Sequence, residues 1–222
     1  MIRIAASLVL AATLALPGLA TPGSAEGTTI SFLNGSWAQQ RFLFKRSNDY
    51  AIEQDTLTID SYRSVSILYS RLPESLWNAR GARWDWAVLQ SAPATDLTSR
   101  GGDDRNIAVY FIFLPPDRAQ ATRNRNIRRL LNEPSVRALA YVWGGRHEAG
   151  SVLPSPYMDN RGVTIVQRPA GVGQFTEEID LAADFRRAFG SEPTALAGLA
   201  ISADTDDTRS MVQARLSSIL LR

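Results

Sequence analysis

Three aspartates fall within five residues after an apolar run: Asp204-Thr205-Asp206-Asp207-Thr208 follows residues 195–202. Phosphatases that form an aspartyl-phosphate open with Asp-x-Asp-x-Thr, the first Asp acting as a covalent nucleophile. Such a motif works only in its structural context, a parallel sheet whose later elements supply the remaining groups. Here residues 209–222 alone follow it, and the preceding chain does not alternate strands with helices. The expectation is therefore a polar connection between core strands. Its Asp and Thr side chains would accept hydrogen bonds from nearby backbone amides. The same carboxylates, Asp204, Asp206 and Asp207, suit a hard cation, so a structural calcium ion is the one cofactor considered. Otherwise no cofactor is expected.

Other residues with chemical potential are few. Asp103 and Asp104 lie in Arg100-Gly101-Gly102-Asp103-Asp104-Arg105-Asn106, read as a tight glycine turn entering a strand. They are candidate ligand-binding residues, candidate partners of Arg105, and possible ligands to the same metal as Asp204. His147 is the only histidine. Catalysis by several histidines on a metal is thereby excluded, and no Gly-x-Ser-x-Gly elbow is present. A solvated loop histidine is expected. Trp84 and Trp86, and Tyr141 and Trp143, are spaced two apart, so each pair points to one face of a strand. Such a face is either core or a platform on which sugar rings stack. Both pairs are candidate glycan-binding residues, with Asp85 on the opposite face.

The elements that must position these groups are mostly strands. Short apolar runs bounded by turn residues occur at 56–60, 64–70, 83–90, 107–114, 137–143, 163–167, 195–202 and 214–221. Both faces of 107–114 are apolar: Ile107, Val109, Phe111 and Phe113 on one, Ala108, Tyr110, Ile112 and Leu114 on the other. That strand should be central and covered on both sides. Helices are expected at 118–131, ended by Pro134, and at 180–189, ended by Gly190. The polar stretches 92–104 and 144–160 read as loops. The fold class is mainly β: an antiparallel two-sheet sandwich, jelly-roll-like, with two short peripheral helices.

Residues 1–25 read as a secretory signal peptide. Arg3 precedes the apolar run 4–16, and small residues stand at Gly23 and Ala25 before Glu26. Cleavage after Ala20 is a second option. Residues 26–222 then form one exported, soluble domain in the periplasm or outside the cell, with no membrane-spanning segment. There is no cysteine, so neither disulfide nor thiolate contributes. The formal net charge is +2, which argues against strong steering of anions. The arginines at 118, 123, 125, 128 and 129 are read as a solvated helix face, and nucleic acid is not an expected partner.

The order of motifs is itself distinctive: Ser-Val-Ser-Ile-Leu-Tyr-Ser at 64–70, Trp-Asp-Trp at 84–86, the 101–113 stretch, Ala-Leu-Ala-Tyr-Val-Trp at 138–143, and 180–208 before a final strand. This order resembles the domain of unknown function family 3047, found in exported bacterial proteins. The resemblance spans about residues 57–221 and implies a fold more than an activity. Two functional classes follow from the residues. One is a non-catalytic binding module for carbohydrate or cell-envelope glycan. The other is a glycan-acting hydrolase using paired Asp carboxylates drawn from Asp103, Asp104, Asp204 and Asp206.

Overall fold

A computed structural model describes residues 27–222 except 35, 124–126, 128, 129 and 131. The strands are β1 (Thr28–Ile30), β2 (Ala38–Arg41), β3 (Asp49–Glu53), β4 (Thr56–Tyr62), β5 (Val65–Arg71), β6 (Gly81–Gln90) and β7 (Arg105–Leu114). They continue with β8 (Arg137–Trp143), β9 (Val152–Ser155), β10 (Asp159–Arg168), β11 (Gly173–Asp180), β12 (Ala195–Asp204), β13 (Met211–Ser217) and β14 (Ile219–Leu221). Helices α1 (Pro116–Ala121) and α2 (Leu181–Phe189) lie between them.

Two seven-stranded sheets result. The first runs β1-β14-β6-β13-β4-β3, with β11 on the free side of β6. The second runs β2-β5-β12-β7-β8-β10-β9. Pairing is antiparallel throughout except for β8 and β10, which are parallel. The architecture is the expected jelly-roll-like sandwich.

β7 occupies the middle of the second sheet, as its two apolar faces require. Ile107, Val109, Phe111 and Phe113 join the core between the sheets. Ile112 and Leu114 pack under Ala119, Ile127 and Leu130 on the outer face, and Ala108 packs with Leu97 and Val166. Tyr110 is the partly buried member of that outer face. The other sequence-predicted strands are present, but 214–221 is two strands broken at Ser218, both lying along β6.

Five strands lie outside the predicted set: β1, β2, β3, β9 and β11. β1, β2 and β3 are short and mostly exposed, so they carry no apolar alternation. β11 has a charge at its buried position, Glu177, which accepts from Trp86 Nε1 at 3.0 Å and Arg168 Nε at 3.1 Å. Apolar alternation cannot reveal a strand that buries an ion pair.

α2 matches its prediction closely. Asp180 ends β11 and caps the helix, its Oδ1 accepting from Ala183 N at 2.9 Å. Gly190 closes it with φ 68°, a conformation glycine adopts without steric penalty. The 118–131 helix is only partly seen. α1 stops at Ala121, Ile127 and Leu130 are helical and buried, and the intervening Arg125, Arg128 and Arg129 lie outside the described residues. Arg118 pairs with Glu133 at 2.7 Å. No helix among the described residues is long and apolar enough to cross a membrane.

Candidate functional site

The four aromatics singled out as a sugar platform do not form one. Trp84, Trp86, Tyr141 and Trp143 are each at most 1% exposed. The two pairs meet each other across the sandwich, Trp84 on Tyr141 with ring centroids 5.8 Å apart and Trp86 on Trp143 at 5.6 Å. Their geometry is tilted, as ring quadrupoles favour. Burying 150–250 Å² each at 25 cal/mol per Å² contributes about 4–6 kcal/mol per ring. The spacing that points both rings of a pair to one face points them inward here, toward the facing sheet. Asp85 stands on the opposite face and accepts from Thr176 Oγ1. Tyr141 O–H donates to Asp184 of α2 at 2.9 Å.

The accessible chemistry lies on the outer face of the second sheet. A groove of about 720 Å³ opens there, a size suited to a small molecule or a short oligomer. Its floor comes from outward residues of adjacent strands: Ile67 of β5, Ala200 of β12, Tyr110 and Ile112 of β7. Tyr157, Met158, Arg100 and Leu43 line it from loops. Its charged lining is Asp204, Asp206 and Asp207 with Lys45, Arg100, Arg105 and Arg161.

Register assembles this charged group. Asp204 ends β12 opposite Arg105 on β7 and Val65 on β5, after a bulge past Ser202. Arg105 reaches Asp103 at 3.0 Å and Asp204 at 3.6 Å, and donates to Tyr110 Oη at 2.8 Å and Ser202 Oγ at 3.3 Å. Tyr157 O–H donates to Asp103 at 2.9 Å and accepts from Gly101 N at 3.2 Å, and its ring lies under the Arg100 guanidinium at 5.3 Å. Lys45 pairs with Asp206.

Electrostatics divide the carboxylates. Burial pushes Asp204 up to about 9, because Arg105 on one side only partly offsets desolvation, while Asp206 and Asp104 on the other add to the rise. Burial also opposes the Asp206 anion, but hydrogen bonds with Asp204 and Lys45 outweigh it and hold Asp206 below the usual carboxylate range. Tyr157 is raised to about 12, by burial first and by Asp103, against the Gly101 amide.

Several expectations change. Asp204 was expected to cap backbone amides, yet its Oδ1 is buried without a partner. Asp104 does that work instead, accepting from Thr208 N at 2.7 Å, Thr208 Oγ1 at 2.5 Å and Asp207 N at 3.4 Å. Asp103 and Asp104 are 3% and 0% exposed, so they support the site from behind and do not offer themselves to a ligand in the groove. Asp207 is exposed, and the carboxylate that joins Asp204 and Asp206 is Asp104. His147 is half-buried against Asp96 at 3.4 Å, away from the groove. β12 is antiparallel to both neighbours, so the parallel-sheet setting of a phosphatase nucleophile is not the setting of Asp204.

Sequence reading missed Lys45, Tyr110, Tyr157 and Met158. Lys45 had a signal as the only lysine. Tyr110 had one as the sole hydroxyl within the apolar residues 107–114.

Gly144 holds the strand that carries Arg105. Its φ is 152°, and a Cβ there would sit 2.8 Å from Arg105 Cβ and 2.9 Å from Arg105 Cα. Gly144→Ala should cost roughly 2–5 kcal/mol, combining backbone strain with overpacking. A thermal melt within 2 °C of wild type, a threshold about the size of a 1 kcal/mol loss, would contradict this close approach.

Fold and site together define a β-sandwich protein with a mixed apolar and charged groove on one sheet. The chain belongs to the family described as Protein of unknown function (DUF3047), whose model matches residues 35–220. No curated protein matches it. Among solved structures it is similar to a family 11 carbohydrate-binding module of the cellulosomal cellulase Lic26A-Cel5E of Clostridium thermocellum, at 9% identity and TM-score 0.42, over 88% of this chain and 93% of that one. It is similar to the xyloglucanase domain of NopAA, a type three effector from Sinorhizobium fredii, at 6% identity and TM-score 0.44, over 90% and 100%. It is also similar to the family 11 xylanase from Neocallimastix patriciarum, at 10% identity and TM-score 0.42, over 90% and 97%.

Proposed function

We propose that this protein is an exported, non-catalytic module that binds a carbohydrate or cell-envelope glycan in the groove on its second sheet. The observation that carries this reading is the make-up of the groove. Apolar and aromatic surface from Ile67, Ile112, Tyr110, Tyr157 and Met158 lies beside fixed charges from Lys45, Arg105, Asp206 and Asp207. A sugar ring offers the complement: an apolar C–H face and hydroxyls that both donate and accept. Aromatic and aliphatic lining with a few placed polar groups is the usual composition of such sites.

The carboxylate geometry supports binding over hydrolysis. Glycosidases flank the scissile bond with carboxyl groups about 5 Å apart or farther, one on each side of the sugar. Here Asp104, Asp204 and Asp206 cluster, with one oxygen from each within 4.8 Å of the others. Asp104 is fully buried and Asp204 nearly so, which withdraws both carboxyls from a scissile bond in the groove.

Export rests on residues 1–25, which lie outside the described residues; mass spectrometry of the cellular protein should find its N-terminus near Glu26. An intact Met1 would remove periplasmic localisation. A glycan-array screen, with and without calcium, tests the ligand class. Selective binding of a glycan set, weakened at least about tenfold (1.4 kcal/mol) by Tyr157→Ala, is expected. Uniform absence of binding would end the carbohydrate reading.

A further inference from the structure

Two chain segments bring three carboxylates together beside the groove. Asp104 immediately precedes β7, Asp204 ends β12, and Asp206 lies in the following turn. Each offers one oxygen, and the three oxygens lie within 4.8 Å of one another. Asp104 is fully buried and Asp204 is 7% exposed. Close carboxylates alone do not make a site, since turns often collect them.

A second observation distinguishes this cluster. Asp204 Oδ1 is buried, and no amide, hydroxyl or cation donates to it. Folded proteins rarely leave a buried carboxylate oxygen without such a donor, because it has lost its water. Arg105 does not relieve it: its guanidinium is 3.6 Å from the other oxygen, Oδ2, and is shared with Asp103. Lys45 sits on Asp206, with its side chain 46% exposed. Lys45 pairs with Asp206, and Arg105 with Asp103 and Asp204, so neither of these two cations joins all three carboxylates.

A hard divalent cation answers these observations at once. Calcium binds oxygens at 2.3–2.6 Å, so two oxygens on one ion are at most about 5 Å apart. The observed spread meets that limit. The donors are all carboxylates, which suits calcium or magnesium and not softer metals. Magnesium demands near-octahedral order, whereas calcium tolerates an irregular set drawn from a strand end and a turn. Asp104 is already held in place by Thr208 and the Asp207 amide. We infer that Asp104, Asp204 and Asp206 bind a calcium ion, which ties the start of β7 to the end of β12 beside the groove. Asp206 then exchanges its Lys45 partner for the ion. This inference does not depend on the glycan reading, and no glycan enters its test.

The test is calorimetric titration of the chelator-treated protein with calcium chloride, with magnesium chloride in parallel, backed by thermal melts. A dissociation constant on the order of 0.1–1 mM is expected, the range of extracellular modules. With 10 mM calcium the melting temperature should rise by roughly 3–8 °C. Asp204→Asn and Asp206→Asn should each weaken calcium binding at least about tenfold (1.4 kcal/mol) while still melting cooperatively. Asp206 lies on the more exposed turn, so its variant decides the matter if Asp204→Asn fails to fold. Absence of both heat and a melting shift in the wild type would overturn the site. So would a folded variant that keeps wild-type affinity. Magnesium binding as tight as calcium would overturn the choice of ion.

Discussion

Phe111→Asp should leave no cooperatively folded protein. Phe111 is fully buried in β7, the middle strand of the second sheet. Its ring packs against Trp84 at 5.8 Å and Tyr141 at 5.6 Å, so it stands at the centre of the aromatic contact between the sheets. Replacing it removes about 3–5 kcal/mol of packing, by analogy with truncation to Ala. It also places a carboxylate among aromatic rings in the core between the sheets. Neutralising that carboxylate or opening the core to water costs several kcal/mol more. Domains of this kind are stable by only about 5–15 kcal/mol, so the two effects together consume most or all of it. Circular dichroism of the purified variant should show no cooperative melt. A sharp transition near that of the wild type would mean that β7 is not where the core is centred.

Ala200→Trp should abolish ligand binding in the groove and leave the fold intact. Leu199 and Ile201 point into the core, so Ala200 points to the outer face, where it forms part of the groove floor. An indole there occupies space the ligand needs. It projects away from the packed interior between the sheets, so little of the core must move. Binding of whichever glycan the array identifies should fall by at least about tenfold (1.4 kcal/mol). The melting temperature should change by a few °C at most, corresponding to about 1 kcal/mol. Unchanged affinity in a folded Ala200→Trp protein would place the ligand elsewhere on the surface. Equal losses of affinity and stability would show that Ala200 belongs to the core.

The two variants touch neighbouring strands of one sheet and should have opposite signatures. The difference comes from the face each residue presents. Alternation along a strand assigns Phe111 and Ala200 to opposite faces of the second sheet. One face is sealed by the first sheet. The other is covered in part by α1 with Ile127 and Leu130 and by the 92–104 loop, and the described residues leave the groove open.

The sequence by itself determined the elements whose side chains alternate or whose ends are chemically marked. β7 was legible because both faces are apolar, and a chain buries such a strand in the middle of a sheet. α2 was legible because Leu181, Phe185 and Phe189 fall on one helical stripe and Gly190 stops it. The spacing of Trp84 with Trp86, and of Tyr141 with Trp143, fixed that each pair shares a face. Whether that face looks inward or outward is a property of the second sheet, which local spacing does not contain. Tertiary structure alone set the pairs against each other. Only tertiary structure brought Asp104 to Asp204 and Asp206, because residues a hundred positions apart meet through the pairing register of β7 with β12. It likewise decided which carboxylate caps the turn and which keeps an unpaired oxygen. β11 stayed illegible for the same physical reason: its buried Glu177 is tolerable only because Trp86 and Arg168, from other strands, supply its hydrogen bonds.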